Sequence, residues 1–285
     1  KYDNLFEFGY TYVDIKYDTY RYIKLSEKSA AQKSIVGYKI CRYAQFPEGK
    51  AILPSILEEL IAARKATRKK AAFESDPFVK NMLDKRQLSI KICANSLYGQ
   101  CGAETSAIFE ADIAASTTAI GRKLLFYGRS IIEECYNNVI LTLIDGKKVL
   151  VKAECVYGDT DSVFFKFNLR DPETNEKIIN KQALIYTIEL AKQAGELASK
   201  FLKKPHDLEY EKTFWPWIIM SKKRYVGMLY EEDPEVCKLK FMGIVLKRRD
   251  NAPIVKDIYG GVIEILMKDK NIPKSIKFLH DCLHD

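Results

Sequence analysis

Two aspartates, Asp159 and Asp161, stand two positions apart in the stretch VYGDTDS (156–162), between runs with the composition of β-strands. Alternation along an extended chain puts residues i and i+2 on roughly the same face, so the two carboxylates are neighbours. Neighbouring carboxylates share a proton or neutralise a cation; the alternative is an ordinary polar turn, in which Asp is common. The chain has three histidines, two of them His280 and His284 near its end, and seven scattered cysteines with no C-x-x-C pair. These counts and spacings argue against a disulfide framework, a cysteine-rich or His-based zinc site and Ser/His catalysis. A cation at this turn must be held by oxygen, which favours Mg²⁺ or Mn²⁺.

A second constellation is cationic. Pro54 opens a run of good helix formers, PSILEELIAARKATRKKAAF, which SDP (75–77) interrupts. The next helical run, FVKNMLDKRQLSIKICANSLYG, ends at Gly99, a residue type that stops helices. Two such helices joined by a short turn form an antiparallel hairpin. Leu57, Leu60 and Ile61 make an apolar stripe that Arg64 and Arg68 continue at steps of three and four, and Leu88, Lys91, Asn95 and Tyr98 follow the same steps on the second helix. On faces turned toward each other, the two Arg, the Lys and the Asn form a groove that fits a triphosphate, with Arg giving planar forks and Lys a point charge. A solvated edge for the arginines and a snorkelling Lys91 are the plainer alternatives.

Other elements must position these groups. Residues 5–24 alternate aromatic and polar, starting at Phe6, Phe8, Tyr10 and Tyr12, which is a strand or hairpin pattern, and 35–46 reads as another strand. A third helix is expected over 110–136 and a fourth over 181–202. Asp145-Gly146 signals a two-residue hairpin, and strands flank the aspartate turn. LEYEKTFWPWIIM and YVGMLY read as strands joined through Ser221, Lys222, Lys223 and Arg224, and 253–283 reads as mostly helical. The whole is α+β.

Over 285 residues the net charge is +8, with basic clusters at 63–70, 221–224 and 246–249, which suggests a polyanion partner. Apolar residues make up 47%, yet no run is long enough to span a membrane. The cysteines suit a reducing compartment, nuclear or cytoplasmic. No G-x-x-x-x-G-K-S/T loop and no kinase motif set occurs. A triphosphate clamp with an acidic metal turn points to phosphoryl or nucleotidyl transfer.

Three stretches, YGDTDSVFF (157–165), RQLSIKICANSLYG (86–99) and LEYEK…SKKRYVGMLY (208–230), resemble the family B DNA polymerases. The wording is nearest the delta-type enzymes and those of large DNA viruses. GKAILPSILEELIAARKATRKK resembles their fingers, and GIVLKRRDNAPIV (243–255) their passage into the thumb. The resemblance implies a palm of antiparallel sheet and helices (1–50 and 101–240), a helical-hairpin fingers subdomain (51–100) and the start of a helical thumb (241–285).

It also implies roles. Asp161 binds both catalytic metal ions, Asp159 supports them directly or through a neighbour, and Arg64, Arg68, Lys91 and Asn95 hold the incoming dNTP, Lys91 taking part in catalysis. Tyr98 lines the nascent base pair. Lys223 reaches the primer end, and Lys222, Arg224, Tyr225, Arg248 and Arg249 contact primer–template DNA. Two Mg²⁺ ions, about 3.5–4 Å apart, serve an in-line displacement. A processivity clamp is a further implied partner. The family's other essential acid lies in a D-F-x-S-L-Y-P-S stretch that the chain lacks, and Asp14 does not have that context. The absence of a starting Met suggests a piece of a longer chain, and with that motif and the exonuclease domain missing the resemblance implies the C-terminal half of a polymerase core. A binding module that has lost its chemistry and a metal-dependent nuclease are the competing classes; the first leaves the metal turn unexplained, the second the basic helices.

Overall fold

The computed structural model describes residues 5–24, 26, 29–244, 246 and 252–284. The chain divides into two compact units, Lys1–Lys123 and Leu124–Asp285. Both mix helices with small antiparallel sheets, and no described helix is long and apolar enough to cross a membrane.

In the first unit, a 3₁₀ turn, Leu5–Phe8, precedes β1 (Thr11–Ile23), which pairs with β2 (Gln32–Gln45) in a long hairpin. Phe6 and Phe8, expected in the strand, sit in that turn, which the Gly9 N–H closes on the Phe6 carbonyl. One hairpin face binds the first turns of α3 (Ala111–Cys135): Tyr17 and Lys39 donate to the Asp112 carboxylate at 2.8 and 2.6 Å, and the Tyr43 hydroxyl donates to the Asp112 carbonyl and lies 2.9 Å from Ser116 Oγ, whose hydroxyl can donate to it. The other face carries the Asp14–Arg42 pair and the Lys16 ammonium over the Tyr38 ring.

Helices α1 (Ile52–Phe73) and α2 (Pro77–Cys101) pack side by side. Pro77 takes the first helical position of α2, and the Asp76 carboxylate accepts the Phe78 N–H at 2.8 Å, capping the helix. Gly99 does not end α2, as the sequence suggested. The helix runs two residues further, and the N–H of Gly102 closes it on the carbonyls of Gly99 and Gln100.

In the second unit, the end of α3 leads into β3 (Asn137–Thr142) and β4 (Lys148–Lys152), then β5 (Glu154–Asp159) and β6 (Ser162–Lys166), each a two-stranded ladder. The turn at Asp145-Gly146 is longer than two residues. The Leu143 N–H pairs with Lys147, and Gly146 sits at φ 80°, the left-handed residue that a three-residue loop demands. Helix α4 (Asn180–Phe201) then lays Tyr186, Leu190, Ala194 and Ala198, four residues apart, against Val149, Val151 and Phe167. This is the principal core, and Leu190 and Val151 are fully buried in it.

Strands β7 (Thr213–Ser221), β8 (Arg224–Tyr230) and β9 (Cys237–Met242) form a three-stranded sheet. Against it pack α5 (Pro253–Glu264) and the π-helical turn Ile265–Asp269, through Val226, Ile244, Ile263 and Met267. Helix α6 (Ile272–His284) follows, its Phe278 ring pressed on Gly261 of α5.

Candidate functional site

The β5–β6 hairpin closes through an Asp159–Ser162 pair, leaving Thr160 and Asp161 as the loop. The Asp161 N–H donates to the Asp159 carbonyl at 2.7 Å across Thr160, whose φ is 58°. A β-branched residue in the left-handed region, inside a turn with an i to i+2 bond, is strained backbone. Such strain persists only where surrounding structure over-determines it, and it concentrates at functional sites. Two further bonds hold the turn: Thr160 Oγ1 donates to Asp159 Oδ1, and Ser162 Oγ donates to the Asp159 carbonyl.

An aromatic cluster fixes this tip to the β7–β8 sheet. Tyr157 and Phe164, from the two arms of the hairpin, pack with Phe214, Trp217 and Tyr225, and the Phe164 and Trp217 rings are stacked at 5.3 Å. Such ring pairs add roughly 0.5–1.5 kcal/mol each beyond area burial. Tyr225, expected with its basic neighbours at the DNA, is only 8% exposed and belongs to this cluster. Burial raises its phenol pKa.

The cluster brings the β7–β8 turn onto the aspartates. Lys223 Nζ donates to Asp159 Oδ1 and Oδ2 at 2.7 and 2.8 Å, and the Lys223 N–H donates to the Tyr157 hydroxyl at 2.9 Å. The ammonium holds the Asp159 carboxyl below its usual range, with a smaller contribution from Lys222, and Asp159 in turn raises Lys223. Two carboxylates two residues apart are thus not equivalent. Asp159 is largely enclosed and already faces a cation, whereas Asp161 is exposed and its carboxylate takes no ion pair among the described residues. Asp161 also borders a cavity of about 1300 Å³ shared with Phe164, Glu209 and Trp217, ample for a nucleotide-sized ligand.

No described group of three or more acidic, His or Cys side chains could hold a metal by itself. The donor set still fits magnesium, which takes one or two carboxylates and completes its shell with water and substrate phosphates. Asp161 is the carboxylate open to that use, with Asp159 beside it.

In the first unit the α1–α2 seam differs from the sequence reading. Leu57, Leu60, Arg64, Thr67 and Ala71 of α1 are the shielded positions, as are Leu83, Gln87, Ile90, Ala94, Leu97 and Cys101 of α2. Arg64 lies in the seam and its Nε donates to Gln87 Oε1 at 3.2 Å. Ile61 and Arg68 are exposed, so the stripe drawn through them is displaced. Leu88, Lys91, Asn95 and Tyr98 do share one face of α2, but that face is exposed and does not meet α1. The reason is that the seam takes residues in register with Ala94 and Cys101, whose small side chains let the helices approach. Tyr98 is tied instead to α3, its hydroxyl 2.7 Å from Thr118 Oγ1.

Lys222 and Arg224 are exposed beside Lys223, and Arg248 and Arg249 lie outside the described residues. The Lys223–Asp159 pair and the Tyr157 hydroxyl bond were not foreseen. They join residues more than sixty positions apart, and no local spacing announces them.

Comparison with known proteins decides the family. The model of DNA polymerase family B matches residues 8–285. The chain belongs to DNA polymerase family B. It is 72% identical to a DNA polymerase of Phaeocystis pouchetii virus over 204 residues, which are 72% of this chain and 19% of the relative. A DNA polymerase of Pyramimonas orientalis virus is 40% identical over 99% of this chain and 25% of its own length. The delta catalytic subunit of Candida albicans DNA polymerase is 34% identical over 83% of this chain and 21% of its length. The chain therefore spans about a fifth to a quarter of the curated family B relatives it matches.

Proposed function

We propose that the chain carries part of the nucleotidyl-transfer site of a DNA-directed DNA polymerase, adding dNTPs to a primer 3′-hydroxyl on a template. The observation that supports this most directly is the strained β5–β6 tip, which presents an open Asp161 carboxylate beside a lysine ammonium seated on Asp159. In this reading residues 1–50 and 101–240 are palm, 51–100 fingers and 241–285 the start of the thumb.

Magnesium, when bound, would be held by Asp161 with support from Asp159 and would neutralise phosphate charge and acidify the primer hydroxyl. The chain's own groups do the rest. Lys91, Asn95 and Arg68, exposed on the helical hairpin, hold and orient the triphosphate, and Lys91 supports the charge that develops on it. Arg64, half-buried in the seam and braced by Gln87, adds a fixed guanidinium. Tyr98, anchored on Thr118, offers a ring to the base pair. Lys223 sits at the primer end, where its charge lies next to the reacting hydroxyl. Lys222, Arg224, Arg248 and Arg249 track the DNA backbone. A processivity factor is a further partner in this reading.

The test is template-directed incorporation by the polymerase polypeptide that contains these residues, with Mg²⁺ and with Mn²⁺. Incorporation of the complementary dNTP, together with DNA affinity that falls as salt rises through counterion release, supports the reading. Absence of templated incorporation, or salt-independent DNA affinity, sinks it.

A further inference from the structure

Lys223 is held in place by more than its ion pair. It stands in the two-residue turn between β7 and β8, with φ 62°, a conformation uncommon for a side-chain-bearing residue. Its N–H is bonded to the Tyr157 hydroxyl of β5. Its carbonyl meets Gly243, the residue after β9, which the β8–β9 register places beside Arg224. A Cβ on Gly243 would lie 2.2 Å from the Lys223 carbonyl oxygen and 3.3 Å from its carbonyl carbon. Gly243 itself has φ 60°. Both its backbone angle and the closeness of its neighbour require glycine. The peptide units on both sides of Lys223 Cα are therefore confined, one bonded to a hydroxyl from the acidic hairpin and one closely approached by the Gly243 backbone at the end of the third strand.

We propose that Tyr157 and Gly243 form a clamp that positions the Lys223 ammonium on Asp159, and that their contribution to nucleotidyl transfer passes through Lys223. Neither touches a substrate; they are positioning residues. The inference rests on the reading that Lys223 acts at the transfer site. Any side chain at Gly243 pushes the β7–β8 turn away by about 1 Å, a misplacement that can cost about a hundredfold in rate. Loss of the Tyr157 hydroxyl frees the Lys223 N–H and lets the same turn relax.

The experiment is a set of double-mutant cycles in the polymerase polypeptide that contains these residues, using single-turnover incorporation with Mg²⁺ on a primer–template. The variants are Lys223→Ala, Gly243→Ala, Tyr157→Phe and the two doubles with Lys223→Ala. Gly243→Ala and Tyr157→Phe are expected to slow incorporation about tenfold to a hundredfold, and neither double is expected to fall below Lys223→Ala alone. Amide hydrogen exchange at 222–224 is expected to speed up in both single variants. Losses that multiply in the doubles, or single variants with full activity, overturn the clamp while leaving the role of Lys223 standing. Full activity in Lys223→Ala overturns the underlying reading and the clamp with it. Should Gly243→Ala fail to fold, Tyr157→Phe, which removes one oxygen atom, carries the cycle unaided.

Discussion

The Lys223 ammonium bridges both oxygens of Asp159, while Asp161, two residues on, keeps its carboxylate exposed and outside any ion pair among the described residues. The two acids should therefore respond differently to the same neutralising change. Asp161→Asn removes the open carboxylate and is expected to lower single-turnover incorporation at least about a hundredfold, the scale of a lost charge-stabilising group. Asp159→Asn removes a charge that a lysine already balances, and about a tenfold loss is expected, near one charge-assisted hydrogen bond. Primer–template affinity should change little in either. Equal losses would mean that Lys223 leaves Asp159 when substrates bind.

Arg64 and Lys91 were expected on one clamp, yet one is braced in a helix seam and the other is exposed. Lys91→Ala should raise the KM for dNTP or lower kcat with the thermal midpoint nearly unchanged, since an exposed substitution stays within about 0.5 kcal/mol. Arg64→Ala should lower the thermal midpoint as well, because it strips Gln87 of its partner. A Lys91→Ala variant defective only in DNA affinity would remove it from the triphosphate site.

Much of this arrangement was legible in the sequence, for identifiable reasons. Helical runs with a Pro start and an Asp-Pro break, and strands flanking GDTDS, are local signals, and they fall where α1, α2, β5 and β6 lie. The face of a helix is harder to read when apolar residues surround it. Ile61, Leu88 and Ile92 are exposed, so hydrophobicity did not mark the α1–α2 seam. Phe6 and Phe8 misled in a similar way, continuing a strand alternation into a turn. The partner of Asp159 could not be read at all, because the Lys223 contact depends on an aromatic cluster assembled from three separate segments.

Asp112 gathers the β1–β2 hairpin onto α3, and its pH response follows from the groups that face it. Lys39, and after it Tyr17, hold its carboxyl below the usual 3.8, while Asp112 raises Lys39 above 10.5 and Tyr17 well above 10.0. A depressed acid contributes fully above its unfolded value and loses that contribution as pH falls through the folded one. The raised Lys and Tyr contribute fully below their unfolded values and lose it as pH rises toward the folded ones. The junction should be indifferent to pH between about 5 and 9 and weaken on either side. Thermal denaturation of wild type and Asp112→Asn should show a constant gap across that window that narrows below pH 3.8. A gap that persists unchanged into acid would show that the carboxylate charge contributes nothing there.

Two glycines should answer the same substitution with opposite signs. Gly195 of α4 lies against the backbone that precedes β7: a Cβ there would stand 2.8 Å from the Leu208 carbonyl oxygen and 3.2 Å from the Tyr210 nitrogen. That segment cannot easily retreat, since Ser199 Oγ both accepts from the Leu208 N–H and donates to its carbonyl. Gly195→Ala should destabilise by about 1–3 kcal/mol, as overpacking does. Gly99, inside α2, has nothing within 4 Å of the position its Cβ would take. Gly99→Ala should stabilise by up to about 1 kcal/mol, because the unfolded chain loses freedom at no steric cost. For a chain of this size each kcal/mol moves the thermal midpoint by about 2–4 °C, so the two variants separate clearly in one melting experiment. If Gly195→Ala melted at or above wild type, α4 would not be packed on Leu208 as closely as the structure has it, and the base from which β7 carries Lys223 toward Asp159 would be loose.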